Sequence, residues 1–151
     1  RIKQDFPDVE AIAGVATAGI AQGALIADHL DLPYAYVRPE PKKHGMGNQI
    51  EGRLEPGQKV VVVEDLISTG GSSLKVVEAL RAYGVEVVGM VAIFTYGFRK
   101  ADENFAAANV SLSVLSNYNF LMEAAVEEGH ISAEQVETLS QWRLTPDTWG
   151  K

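Results

Sequence analysis

The chain reads as an α/β domain whose mostly parallel central sheet is flanked by helices. Three observations predict this. Strand-like and helix-like segments alternate along the sequence, the pattern that builds parallel sheets covered on both faces. Residues 59–64 contain four consecutive valines, and an unbroken β-branched run marks a strand buried on both sides. The length of 151 residues, with 46% hydrophobic and 22% charged, suits one globular domain.

Each element follows from local pattern. Residues 10–16 (EAIAGVA) read as a buried strand, and residues 17–30 as a helix rich in Ala, Ile and Leu. Pro33 stops that helix because proline cannot continue the hydrogen-bond ladder. Residues 34–38 form a second strand. Residues 39–57 differ, holding three prolines and four glycines without a clear period. A short hairpin fits inside them, and loops this long in compact domains are commonly lids or binding loops. Residues 59–64 are the strongest strand. Ser72 or Ser73 is expected to cap the next helix, which carries Leu74, Val77 and Leu80 and stops at Gly84. Residues 85–94 and 110–115 read as further strands, and 119–128 as a helix. Ser132 with Gln135 makes a capping box for a last helix bearing Val136, Leu139 and Trp142, ended by Thr145-Pro146. Trp142 and Trp149 read as packing residues. Ligands of such sheets bind beyond the carboxyl ends of the strands, near a topological switch point.

Composition narrows the function classes. A net charge of −7 argues against general nucleic-acid binding, which depends on Lys and Arg neutralising phosphates. Yet Arg38, Lys42, Lys43 and His44 cluster with only Glu40 opposing them, which suggests a small anionic partner, although such a cluster taken alone is more often a solvated basic loop. Cysteine is absent, excluding disulfides and thiolate metal sites. No apolar run approaches the roughly 18–20 residues of a membrane span, and no secretory signal precedes the first strand. A cytoplasmic location is expected.

The chemistry concentrates in residues 60–73, VVVVEDLISTGGSS. A buried strand ends in two adjacent carboxylates, and a turn rich in hydroxyls and glycines opens directly into a helix. Helix N-termini present unpaired N–H groups and partial positive charge to an anion. Gly70 and Gly71 let the backbone approach and turn its amides inward, while Ser68, Thr69 and Ser72 add hydroxyl donors. Glu64 and Asp65 are acceptors suited to the two hydroxyls of a ribose. Together these form a template for ribose 5-phosphate. A Walker loop needs a Lys after the glycines and a dinucleotide fingerprint needs G-x-G-x-x-G; neither is present. A bare Gly-Gly would be read as a tight turn; the tandem acids and flanking hydroxyls weigh against that.

This segment resembles the phosphoribosyl pyrophosphate (PRPP) motif of the type I phosphoribosyltransferases. Within that family Val15-Ala16-Thr17-Ala18-Gly19-Ile20 is similar to the pyrophosphate loop of the orotate enzymes, and Arg38-Pro39-Glu40-Pro41-Lys42-Lys43-His44-Gly45 to their mobile catalytic loop, taken here as residues 39–57. The resemblance implies a phosphoribosyltransferase core over residues 1–151. It implies transfer of the phosphoribosyl group from PRPP to orotate in pyrimidine synthesis, with Mg²⁺ as cofactor. It assigns Glu64 and Asp65 to the ribose hydroxyls. Ser68, Thr69, Gly70, Gly71 and Ser72 fall to the 5-phosphate loop, with Ser68 also against orotate, and Leu66 and Ile67 count among the PRPP-binding residues. Thr17, Ala18 and Gly19 fall to the pyrophosphate. Arg38, Lys42 and His44 become the catalytic set, with Lys43 also on PRPP. Glu64 and Asp65 would meet Mg²⁺ through water if at all. A homodimer is implied, with the loop shared across its interface.

Two departures stand out. Pro39 occupies a position where the family often has a second Lys, for which Lys43 is a partial substitute. Phe94-Thr95-Tyr96-Gly97 lies where some orotate enzymes place a base-contacting Arg; Arg99 is nearby without that assignment. The family's N-terminal hood over the base precedes the first strand seen here, so this piece is expected to bind PRPP and turn over orotate poorly. The competing readings are a phosphoribosyltransferase for a purine base and a non-catalytic PRPP sensor. The retention of Lys42 and His44 favours an enzyme.

Overall fold

A computed structural model describes residues 1–40 and 48–149. Six strands form one sheet in the order β3-β2-β1-β4-β5-β6. They are β1 (Ala11–Val15), β2 (Tyr34–Val37), β3 (Ile50–Gly52), β4 (Lys59–Ile67), β5 (Glu86–Thr95) and β6 (Leu112–Asn117). All neighbours pair in parallel except β3, which runs antiparallel to β2. Of the hairpin expected within residues 39–57 only β3 lies there among the described residues; its partner is β2, which precedes that stretch.

The helices among the described residues are α1 (Ile2–Asp5), α2 (Gly19–Leu30), α3 (Gly71–Tyr83), α4 (Arg99–Ala107), α5 (Tyr118–Glu127) and α6 (Ala133–Leu144), with a 3-10 turn at Pro146–Thr148. The capping box of α6 is present: the Ser132 hydroxyl accepts from the Gln135 N–H, and the Gln135 side chain accepts from the Ser132 N–H. Trp142 packs against Tyr96, Phe98 and Tyr118, whereas Trp149 is half exposed.

The valine run works as two interleaved faces, because successive strand side chains point to opposite sides. Val60 and Val62 join Val76, Val77, Leu80 and Phe105 under α3 and α4. Val61 and Val63 join Ile2, Phe6, Ile12 and Ala27 under α1 and α2. Either face alone would leave half of this strand wet.

Three differences from the sequence reading have simple causes. Strand β4 continues past the acid pair to Ile67, because Leu66 and Ile67 pair with Phe94 and Thr95. Helix α4 was not foreseen: its sequence, RKADENFAA, is mostly polar, and it buries only Ala101 and Phe105. The cap of α3 is neither Ser72 nor Ser73 but Gly70, at φ 79°, with no side-chain bond to the helix end. Ser73 is instead buried with its hydroxyl turned onto Glu64.

Candidate active site

Strand β1 lies between β2 and β4, so the chain's crossovers leave β1 in opposite directions. This makes the carboxyl ends of β1 and β4 the switch point of the sheet, where a crevice opens. The loop after β1 leads into α2, and the end of β4 leads into α3. Both helices begin there without a side-chain cap. Two helix N-termini without side-chain caps therefore open at the ends of adjacent strands, one from each face of the sheet, each suited to an anion.

Glycines set how closely the parts approach. A Cβ on Gly19 would lie 2.5 Å from the Val63 carbonyl and 3.5 Å from Glu64 Cα. The first turn of α2 therefore rests directly on β4, just before the acid pair. Thr17 and Ala18 are exposed at the mouth of this loop, and the Ala16–Thr17 peptide bond is cis.

The acid pair does not act as two equivalent groups. Strand alternation turns Glu64 toward α3, where it is 5% exposed. Its Oε2 accepts from the Ser73 hydroxyl at 2.8 Å and its Oε1 from the Asp65 N–H at 3.1 Å. Burial is the main influence on Glu64 and, set against the Ser73 bond, pushes its pKa from the usual 4.5 to about 7. Asp65 points the other way and stays partly exposed, making it the more accessible acceptor of the pair.

Beyond the acids, Leu66 is exposed and Ile67 is fully buried in the core. The Ile67 carbonyl accepts from the Tyr96 N–H at 3.1 Å and the Thr95 hydroxyl at 3.2 Å. This ties the loop to the end of β5. Ser68 is partly buried; Thr69, Gly71 and Ser72 are exposed, and Gly70 is buried against the Phe105 ring. Ser68 and Thr69 also line a cavity of about 450 Å³ with Tyr96, Phe98 and Arg143.

Arg38 follows β2 beside the pyrophosphate-type loop, since the Ala16 N–H donates to the Val37 carbonyl at 2.9 Å. Its guanidinium lies over the Tyr36 ring, donates to the Tyr36 hydroxyl at 3.3 Å and pairs with Glu51 at 3.8 Å. The Tyr36 hydroxyl in turn donates to Glu51. Arg38 is thus held in place by β2 and β3. Lys42, Lys43 and His44 lie outside the described residues.

The structure thus brings Thr17, Ala18, Gly19, Arg38 and residues 64–72 to the carboxyl ends of β1, β2 and β4. It also adds a residue that the sequence did not single out. Asn104 of α4 donates to the Thr69 carbonyl at 2.9 Å. A lone Asn in a polar helix carries no pattern that would have revealed this.

Comparison with known proteins agrees with the geometry. Residues 2–128 match the phosphoribosyl transferase domain family. The orotate phosphoribosyltransferase of Porphyromonas gingivalis is 59% identical over 149 residues, covering 99% of this chain and 71% of that protein. That of Cytophaga hutchinsonii is 57% identical over 150 residues, covering 99% and 72%. The crystal structure of orotate phosphoribosyltransferase from Aeropyrum pernix superposes with a TM-score of 0.74 at 35% identity, covering 87% of this chain and 71% of that one.

Proposed function

The chain belongs to the orotate phosphoribosyltransferase family, and from that premise we propose how its residues transfer the 5-phosphoribosyl group from PRPP to orotate. The products are orotidine 5′-monophosphate and pyrophosphate, and the setting is pyrimidine synthesis. The observation that carries the reading is that two uncapped helix N-termini open at the carboxyl ends of the neighbouring strands β1 and β4, where the acid pair lies.

The N–H groups opening α3, with Ser68, Thr69 and Ser72, hold the 5-phosphate. Those opening α2, with Thr17, take the pyrophosphate. Asp65 accepts from the ribose hydroxyls first, and the remaining lone pairs of Glu64 contribute second. Ser68 touches orotate. A ring nitrogen of orotate supplies the electron pair of the new bond to C1 and releases its proton to solvent, and pyrophosphate leaves with the electron pair of the old bond. Charge builds on the departing oxygens, so positioning and electrostatics carry the rate. Arg38, Lys42 and Lys43 neutralise that charge, and His44 donates a proton or hydrogen bond to it.

Mg²⁺ belongs to the same proposal. Among the described residues no three His, Cys, Asp or Glu side chains gather as a metal cage. The accessible carboxylate of Asp65 fits a cation held mainly by substrate oxygens and water. When bound, it supplies neutralisation of the diphosphate. A homodimer sharing residues 39–57 between subunits, and a cytoplasmic location, complete the reading. The first rests on the loop's likeness to the family's, the second on highly charged substrates that do not cross a bilayer unaided. Among the described residues no helix is long and apolar enough to cross a membrane.

The test is pyrophosphate release from PRPP in the presence of orotate, adenine, hypoxanthine or xanthine. Release that depends on orotate alone is expected. Release driven by a purine, or PRPP binding without turnover of any base, contradicts the assignment.

A further inference from the structure

A phosphate cradle made of backbone amides works only if those amides face the anion, and at Gly70 nothing in the residue itself fixes that. Glycine accepts both signs of φ, so the Thr69–Gly70 peptide plane can turn over with little steric penalty. An outside anchor is required, and the structure holds one on α4. We propose that Asn104 is a positioning residue for this cradle: by holding the Thr69 carbonyl, its amide turns the Gly70 N–H toward the sugar phosphate.

The argument is geometric. The Asn104 side chain donates to the Thr69 carbonyl at 2.9 Å, which fixes that oxygen on the α4 side of the loop. The peptide is trans, since the cis bond among the described residues is Ala16–Thr17. In a trans peptide the carbonyl and the following N–H point in opposite directions. The Gly70 N–H therefore faces away from α4. The next peptide is fixed separately: the Gly70 carbonyl accepts from the Leu74 N–H at 2.9 Å, so the Gly71 N–H points out of the helix start. Two successive N–H groups then converge, as in other anion-binding nests.

The neighbouring residue makes the anchor effective. The Phe105 ring, 4% exposed, lies beneath Gly70, where a Cβ would come within 2.5 Å of it. The loop cannot sink toward α4 to recover a lost bond. Rotation of the Thr69–Gly70 plane is the easier response, and rotation carries the N–H out of the cradle. Replacing Asn104 by Asp sets an acceptor against the carbonyl and drives that rotation. Replacing it by Ala merely releases the carbonyl.

This inference rests on residues 68–72 being the 5-phosphate cradle, so its test separates the two phosphate-binding halves. Wild type, Asn104→Ala and Asn104→Asp are titrated by calorimetry with ribose 5-phosphate and, separately, with pyrophosphate. Ribose 5-phosphate is expected to weaken about threefold to tenfold in the Ala variant and more than about tenfold in the Asp variant, the scale of one hydrogen bond. Pyrophosphate, read by α2, should stay within about twofold in both. The Ala variant adds no charge, so a loss shared with it isolates the missing donor. Equal weakening of both ligands would mark general damage and overturn the proposal, as would no weakening of either. Wild-type protein that fails to bind ribose 5-phosphate would remove the cradle reading itself, and the proposal with it. Wild-type binding matched by both variants would remove the proposal alone.

Discussion

Replacing Glu64 by Gln should make the ligand-free protein more stable, by an amount that grows as pH rises above about 4.5. The Glu64 carboxyl is nearly buried against α3, and its pKa is raised from 4.5 to about 7, chiefly by loss of hydration. Its neutral form is therefore the one the fold prefers. Between pH 4.5 and 7 the unfolded chain releases this proton while the folded chain keeps it. Stability contributed by Glu64 is thus complete below pH 4.5 and is lost as pH rises through about 7. At about 1.4 kcal/mol per pH unit, the difference amounts to about 3 kcal/mol by pH 8. Gln imitates the protonated acid at every pH. Its oxygen can accept from the Asp65 N–H, and the Ser73 hydroxyl can rotate to accept from its amide. For a domain of this size about 3 kcal/mol corresponds to a Tm difference of roughly 6–12 °C. Thermal unfolding of both proteins from pH 4 to pH 8 measures it. The Tm gap should nearly close at pH 4, open between about pH 4.5 and 7, and level off above that. A gap independent of pH, or a less stable Gln variant at pH 8, would refute the reasoning that burial holds this acid neutral.

Other expectations are more direct. Lys42→Ala should lower orotate turnover by at least about a hundredfold, the scale of a lost transition-state contact, with little change in Tm; steady-state rates within about threefold of wild type would contradict its role. Gly70→Ala places a Cβ 2.5 Å from the Phe105 ring at φ 79°, so a loss of about 2–4 kcal/mol is expected from left-handed strain and overpacking; a Tm within about 2 °C of wild type would show that the loop gives way freely. Ser132→Ala removes the capping box of α6 and should cost about 1 kcal/mol. Hydrogen exchange should quicken in the first turn of α6 and not in β4; uniform quickening would mean that α6 unfolds together with the sheet.

The sequence by itself determined the repeating strand–helix order, the valine strand and the acid-then-glycine turn, because these depend on patterns within a few residues. Period, β-branching and cap chemistry are local, and so is the likeness of residues 60–73 to a ribose-phosphate template. What only the tertiary structure decided is how distant pieces divide the work. Placement of β4 beside β1 sets the start of α2 against the acid pair, and no local pattern encodes that neighbour. Strand alternation against a packed α3 separates Glu64 from Asp65, burying one and leaving the other accessible. The cap expected of Ser72 or Ser73 fell to Gly70, because Ser73 bonds Glu64 instead. Asn104 reaches Thr69 across 35 residues. Propensity acts along the chain, whereas burial, hydrogen-bond partners and proton affinity are set by neighbours that only folding supplies.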